Sequence, residues 1–192
     1  MFKKIMYFVM VAVAAISFTS CACTVIDNSE VGIKFNKFSL SEQGKLEAEP
    51  VTGYIFYNPF KQSVFKYPVY VQRVDYDPFI INTKDGAIFH MDPVLAYYII
   101  RDKATDVFST YRKTLPEIES GYMRTCIYDA YRITANKYNA DELMSNRAEF
   151  EADVRVMLDK SLGDEGFYVK EFTSQIDPPE SLRRMIDAKN EA

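Results

Sequence analysis

The sequence is poor in the residues that most often carry metal, redox or nucleophilic chemistry. Its 192 residues include one histidine, three cysteines and no tryptophan. A histidine triad or metal cluster would have to use His90 alone, and His90 lies within a predicted β-strand. The sequence also lacks a phosphate-binding Gly-rich loop and a Gly-x-Ser-x-Gly turn. We therefore expect no enzymatic activity, no cofactor and no metal site.

The charge balance excludes a further class of partner. The chain has 23 basic and 27 acidic residues, a net charge of -4. Such a chain has no basic field with which to hold phosphates, so we expect no nucleic acid partner. The apolar share of 48% is ordinary for a folded domain, whereas the aromatic share of 15%, all Phe and Tyr, is high.

Two weaker candidates for chemistry remain. Asp75 and Asp77 could place two carboxylates on one strand face, where they would bind calcium weakly or act as acid and base. No oxygen-rich loop surrounds them in the sequence, so a solvated surface is the better interpretation. Cys126 lies on the apolar face of a predicted helix and is expected to be a small buried side chain.

Residues 1–23 have the composition of a targeting segment. Lys3 and Lys4 precede an uncharged run, Ile5–Ile26, whose most apolar part is Ile5–Phe18. This length suits a secretory signal better than a membrane-spanning helix. The end of the run, Phe18-Thr19-Ser20-Cys21, resembles a bacterial lipobox, in which the thiol of the last residue receives a diacylglyceryl group. It predicts lipid attachment at Cys21.

Two alternatives for this segment stay open: an uncleaved membrane anchor over the same run, and cleavage without lipid. Positive charge before the apolar run keeps the N-terminus in the cytoplasm. Both the lipoprotein and the anchor therefore predict a membrane-associated protein whose folded part lies outside the cytoplasm, on the periplasmic or cell-surface side.

Residues 24–101 are predicted to form a β-rich subdomain. Asp85-Gly86 can form a tight hairpin turn between a strand at Phe79–Thr83 and a long strand at Ala87–Ile100. Prolines recur at the spacing of turns between strands, at positions 50, 59, 68, 78 and 93. Alternation of apolar and polar residues predicts a half-buried strand that contains Val31, Ile33 and Phe35.

Residues 102–177 are predicted to form a helix-helix-strand unit. Thr114 to Glu117 is a capping sequence for a helix that we expect to run to about Tyr138. Its apolar face is predicted to contain Ile118, Tyr122, Cys126 and Ile133. Asn139 to Glu142 starts the second helix, whose predicted core residues are Leu143, Phe150, Val154, Met157 and Leu158. A strand at Phe167–Ile176 follows, and residues 178–192 begin a C-terminal helix, so the predicted fold class is α+β.

Six segments, in this order, resemble the SPFH or band-seven family, the group of stomatin, prohibitin and flotillin. The segments are Val25–Ile33, Pro50–Pro59, Asn82–Gly86, Tyr138–Leu143, Gly166–Val169 and Ile176–Pro179. The resemblance covers nearly all of the chain after residue 23 and implies an SPFH-like domain. It also implies homo-oligomers that organise membrane patches or enclose membrane proteins, sometimes membrane-bound proteases.

The resemblance directs attention to the C-terminal helix as the contact between subunits. Family members usually continue this helix into a long coiled coil, and whether one follows Ala192 stays open. The charged side chains expected to set the register of the contact are Glu180, Arg183, Arg184, Asp187 and Lys189.

The expected function is therefore a membrane-tethered, non-catalytic scaffold whose partners are itself, membrane lipids and membrane proteins. The alternative is a surface or periplasmic lipoprotein that binds a ligand such as a glycan through the Tyr-rich β-subdomain. Sugar-stacking sites favour tryptophan, and this chain has none.

Overall fold

Strands form the first half of the chain and helices most of the second half. The computed structural model describes residues 21–40, 46–180 and 183–184. The strands are β1 Ala22–Ile26, β2 Glu30–Leu40, β3 Leu46–Val51, β4 Gly53–Tyr57, β5 Gln62–Pro68, β6 Gln72–Asp75, β7 Phe79–Asn82, β8 Ile88–Ile99 and β9 Phe167–Asp177. The helices are α1 Ala104–Tyr111, α2 Leu115–Ile118, α3 Arg124–Ala135, α4 Ala140–Ser145 and α5 Arg147–Asp164, with a 3₁₀ turn at Arg101–Lys103. The α+β prediction is confirmed.

The described strands form three antiparallel sheets. β1 and β4 form a two-stranded ribbon, and β2 is the middle strand of a sheet with the order β3-β2-β5. In the third sheet, β6 and β7 pair with successive parts of one edge of β8, while β9 pairs with its other edge. The predicted Asp85-Gly86 hairpin is present between β7 and β8, and Gly86 has the positive φ of 82° that this turn requires.

The hydrophobic core lies between the β8 sheet and the helices. Its largest fully buried side chains include Tyr97 and Phe89 from β8, Tyr131 from α3 and Phe150 from α5. α5 also holds β9 directly, because Arg147 donates a hydrogen bond to the carbonyl oxygen of Ser174 at 2.7 Å. One core cluster thus contains residues from both halves of the chain, and the boundary between residues 101 and 102 stays a prediction.

Two of the resembling segments meet in space at the β7–β8 hairpin. The Asp85 carboxylate accepts hydrogen bonds from the Thr83 hydroxyl at 2.5 Å and from the Ala140 amide at 3.2 Å. The Lys84 amide donates to the carbonyl oxygen of Tyr138 at 3.0 Å. The hairpin turn therefore fixes the start of α4, which Asn139 and Glu142 close with a capping box.

The helical segment from Leu115 to Ala135 differs from the prediction. A π-helical turn at Glu119–Met123 joins α2 to α3, and such a turn adds one residue to the helical repeat. The buried positions after Ile118 therefore move one residue along the chain, to Met123, Ile127 and Thr134. The expectation for Ile133 is wrong, since its side chain is 43% exposed. Cys126 is half-buried, and burial raises the pKa of its thiol.

Candidate functional surfaces

Cys21, the predicted lipid attachment site, is the first described residue and directly precedes β1. Its side chain is exposed. Residues 1–20, which make up most of the predicted targeting segment 1–23, lie outside the described residues. In the part of the chain that the structure describes, no helix has the length and apolarity needed to cross a bilayer.

The β1–β4 ribbon presents an exposed apolar face next to Cys21. Ala22 pairs with Tyr57 and Ile26 with Gly53, so Cys21 lies at the Tyr57 end of the ribbon. Residues directly opposite each other in an antiparallel pair point to the same face. Cys23 is opposite Phe56 and Val25 is opposite Tyr54. Phe56 and Tyr54 are 67% and 79% exposed.

The ribbon is held on the β2 sheet by close packing at one glycine. The buried side chain of Ile26 lies against Gly32, and a Cβ at position 32 would also come within 3.1 Å of Cγ2 of Val51. The Lys66 ammonium adds a hydrogen bond of 2.6 Å to the carbonyl oxygen of Val25. Gly32 lies in the segment on which the family resemblance depends, and close approach of the two sheets is the physical reason for glycine there.

A second exposed apolar group lies at the same end of the molecule. The turn between β4 and β5 contains Phe60, which is 73% exposed, and the end of β2 contains Phe38, which is 84% exposed. The two segments are joined because Lys37 donates its amide to the Lys61 carbonyl at 2.9 Å and its ammonium to the Pro59 carbonyl at 2.7 Å. We call Lys37, Phe38, Phe60 and Lys61 the aromatic tip.

Sequence reasoning missed the aromatic tip. Its signal was present at Phe60, because turn positions are usually polar and Asn58-Pro59-Phe60-Lys61 puts a large aromatic side chain into a turn. Phe38 gave no comparable signal, because it comes soon after the alternating residues Val31, Ile33 and Phe35 and could be part of the same strand. Its exposure depends on where the pairing of β2 with β5 ends, which is at Asn36.

The β1–β2 connection is tied to the third sheet by one arginine. The Arg101 guanidinium donates to the carbonyl oxygen of Asn28 at 2.6 Å and to that of Glu30 at 3.4 Å. Arg101 lies two residues after the end of β8, so the contact places the ribbon and the β2 sheet relative to the β8 sheet. The same guanidinium satisfies two backbone oxygens that a loop would otherwise leave to water.

Three of the five predicted oligomer-contact residues are described, and all three are exposed. Arg184 forms an ion pair with Glu180 at 3.0 Å, and Arg183 forms one with Asp177 at 3.4 Å. These are contacts within the chain, and the role of the residues between subunits stays a prediction. Asp187 and Lys189 lie outside the described residues.

The residues considered for catalysis or metal binding are exposed. Asp75 is the last residue of β6, Asp77 lies beyond the strand, and both line a shallow cleft with Glu119 and Arg124. His90 is exposed on β8. Across residues 21–40, 46–180 and 183–184, no three His, Cys, Asp or Glu side chains are grouped so that they could hold a metal ion.

Two buried tyrosines, Tyr97 and Tyr67, donate hydrogen bonds that position neighbouring segments. Tyr97 donates its hydroxyl to the Glu119 carboxylate at 2.6 Å, and Tyr67 donates to the carbonyl oxygen of Lys113 at 2.6 Å. Burial, with the nearby Glu117 charge, raises the pKa of Tyr67 to about 12. Burial and Glu119 raise the pKa of Tyr97 further. Both hydroxyls therefore stay protonated at neutral pH and act as structural donors.

The domain is α+β: three sheets come first, helices follow β8, and β9 then pairs with β8. This is the order of elements in an SPFH domain. The sequence model of the SPFH domain / Band 7 family matches residues 24–192. The chain belongs to this family. Comparison with curated proteins gives no match.

Proposed function

We propose that the protein is a membrane-tethered, non-catalytic scaffold that forms homo-oligomers and organises membrane patches or membrane proteins, for example a membrane-bound protease. The observation that carries the proposal is the family match over residues 24–192, since this family is associated with membranes. The exposed Cys21 immediately before the domain supports a tether at that point.

The proposed mechanism depends on confinement. A lipid-modified Cys21 would hold the domain at a surface outside the cytoplasm, where the effective concentration of neighbouring copies is high and weak side contacts accumulate. A single acyl chain gives only marginal binding, whereas a bacterial lipoprotein carries more than one. Cleavage before Cys21 removes Lys3 and Lys4, which leaves 21 basic and 27 acidic residues, a charge of -6. Attraction of the whole domain to anionic lipids is therefore weak.

The test of self-association is the mass of the full chain in detergent. We expect sedimentation to give a particle of several copies after extraction from membranes. A strict monomer over a wide concentration range would contradict the scaffold.

The test of the tether is Cys21→Ala, with Cys23→Ala as the matched control, because the two cysteines are both exposed and only two residues apart. We expect Cys21→Ala to abolish labelling by a fatty-acid analogue and to change membrane fractionation. Cys23→Ala should do neither. Unchanged labelling in Cys21→Ala would remove the lipid anchor from the proposal.

A second candidate function is the binding of a ligand such as a glycan. It is favoured by a pair of stacked tyrosines, Tyr98 and Tyr168, whose ring centroids are 4.9 Å apart and of which Tyr168 is half exposed. Stacked aromatic faces on a sheet suit a sugar ring. A protein that sediments as a monomer and whose tyrosine fluorescence changes with added glycan would favour this function over the scaffold.

A further inference from the structure

We propose that the aromatic tip is a second, non-covalent contact with the phospholipid bilayer to which Cys21 is tethered. Phe38 and Phe60 enter the headgroup region, and Lys37 and Lys61 lie at the level of the lipid phosphates. This inference rests on the proposed membrane tether and adds to it a surface, an orientation and a lipid chemistry.

The position of the tip follows from the register of the ribbon. Cys21 comes directly before Ala22, and Ala22 pairs with Tyr57 at the end of β4. The turn that carries Phe60 begins at the next residue, Asn58. The tether and the turn therefore leave the ribbon from the same end, and a bilayer that holds Cys21 lies within a few residues' reach of Phe60.

The aromatic side chains of the tip are exposed to solvent, although the domain has a hydrophobic core. Among the large apolar side chains described, Phe38 has the highest exposed fraction, 84%, and Phe60 has 73%. The two segments that carry them are joined by the backbone hydrogen bond between Lys37 and Lys61, and exposed apolar groups that share one surface region mark interaction sites. At membrane interfaces, aromatic side chains are the favoured residues of the headgroup region.

The charges around the tip fit a phospholipid surface. The domain as a whole is acidic, yet each exposed phenylalanine of the tip has a lysine directly beside it in the sequence, Lys37 or Lys61. Glu47, on the neighbouring strand, accepts a hydrogen bond from the Asn36 amide at 3.4 Å. Basic side chains next to interfacial aromatics are attracted to lipid phosphates and to anionic headgroups.

The turn is rigid enough to present Phe60 in one direction. The Asn58 carboxamide accepts the Phe60 amide at 3.0 Å, and the Asn58 carbonyl accepts the amides of Lys61 at 3.1 Å and Gln62 at 2.8 Å. The Lys37 ammonium binds the Pro59 carbonyl at 2.7 Å. A preformed turn loses little conformational freedom when it enters the interface.

A second contact changes what the tether does. A chain held at Cys21 alone can pivot about that point, whereas two contacts at one end fix the angle between the domain and the membrane. Fixed angles bring the same faces of neighbouring copies together, which favours regular over random association.

The absence of tryptophan from the chain allows a direct test. We would prepare Phe60→Trp and Phe38→Trp in the full mature protein and reconstitute it in vesicles that contain anionic lipid and lipids brominated near the glycerol. The control is Val156→Trp, on the exposed face of α5 and also largely exposed. We expect tip fluorescence to shift to the blue and to lose most of its intensity to the bromines, consistent with a depth of about 5–10 Å. Val156→Trp should show neither change.

Charge is tested in the Phe60→Trp background by Lys61→Glu, because Lys61 takes part in the turn through its backbone, whereas the Lys37 ammonium itself binds the Pro59 carbonyl. We expect less quenching in anionic vesicles and little change in neutral ones. A tip that is unquenched in protein floating with the vesicles overturns the inference while leaving the tether intact. A blue shift without lipid quenching also overturns it, because it shows that a second copy covers the tip. Protein that does not float with vesicles contradicts the proposed tether itself.

Discussion

At the residue scale, the partner of a buried hydroxyl decides its contribution to stability. Tyr97 and Tyr76 are both buried tyrosines on the same side of the β8 sheet, and the pKa of each is raised mainly by burial. Tyr97 donates to Glu119, whereas the Tyr76 hydroxyl has no hydrogen-bond partner among the described residues. The two side chains therefore form a matched pair with one difference.

Tyr97→Phe is expected to lower the free energy of unfolding by about 1.5–3 kcal/mol, the range for a hydrogen bond to a charged group. The variant removes the hydroxyl that donates to the Glu119 carboxylate at 2.6 Å. That carboxylate is half-buried, so water replaces the lost hydrogen bond only in part. Urea unfolding of the two variants gives the measurement. Tyr76→Phe removes an unpaired hydroxyl and should be neutral or stabilising, so equal losses in both variants would contradict the assignment.

Asp85 makes the stability of the hairpin depend on pH. The Thr83 hydroxyl, and to a lesser extent the Ala140 amide, hold the pKa of the Asp85 carboxyl below its usual range. A lowered folded pKa means that the ionised group stabilises the folded state above the unfolded value of about 4 and that this contribution is lost as pH falls through the folded value. Asp85→Asn should therefore be less stable at pH 7 and lose less stability as the pH falls below about 4.

Thr83→Val checks the cause of that pH dependence. It removes the hydroxyl that donates to Asp85 at 2.5 Å, so the folded pKa of Asp85 should rise and the acid loss of stability should begin at a higher pH. Thermal unfolding across the pH range measures both variants. If the stability of the wild type and that of Thr83→Val fall in the same way at acidic pH, another carboxyl controls the loss of stability there.

At the element scale, the sequence predicted those elements whose signals are local. The Asp85-Gly86 turn, the capping sequences at Thr114 and Asn139 and the strand before Asp177 all depend on residues within a few positions of each other. The π-helical turn at Glu119–Met123 could not be predicted, because its apolar residues also fit a regular helix. Only the core into which Met123 and Ile127 pack selects the shifted face.

The candidate surfaces also differ in whether a local sequence signal or a contact between distant segments forms them. Cys21 was predicted from a short motif, whereas the aromatic tip exists only because Lys37 meets Pro59 and Lys61 from another strand. The pairing of β8 with β9, which brings residues 88–99 and 167–177 together, likewise depends on contacts that no local pattern encodes.

Gly32 controls whether the β1–β4 ribbon lies on the β2 sheet. Gly32→Ala places a methyl group against Ile26 and within 3.1 Å of Cγ2 of Val51, an overpacking expected to cost about 1–3 kcal/mol. Removal of one methyl group in Gly32→Ala/Ile26→Val should restore part of the loss, so that the two substitutions are not additive. Urea unfolding measures each variant. Additive losses would show that Ile26 is not the side chain in the way.

At the scale of the whole molecule, the two proposed contacts belong to opposite ends of the described sequence. The first described residues lie beside the aromatic tip, while Asp177 lies at the far end of β9 from Gly166, which is joined to Ile100 by a hydrogen bond of 2.9 Å. The eleven residues of β9, Phe167–Asp177, lie between these two points, and they span about 35 Å at the usual rise per residue. The proposed contact through Glu180 and Arg184 would thus lie at the end of the β8–β9 ladder that is remote from Gly166.

Charge reversal at Glu180 and Arg184 can distinguish a contact between subunits from an ion pair within one chain. Glu180 and Arg184 are highly exposed and 3.0 Å apart, so their internal pair is worth about 0.5 kcal/mol at most and its loss should not affect folding. We expect Glu180→Arg alone and Arg184→Glu alone to give smaller particles in sedimentation, because each puts like charges on both sides of the contact. An equimolar mixture of the two variants should recover the larger particle, because a subunit with two arginines then faces one with two glutamates. Neither variant can restore its own internal pair, so recovery requires the residues to face a neighbour; particles of wild-type size for each variant alone would remove these residues from the contact.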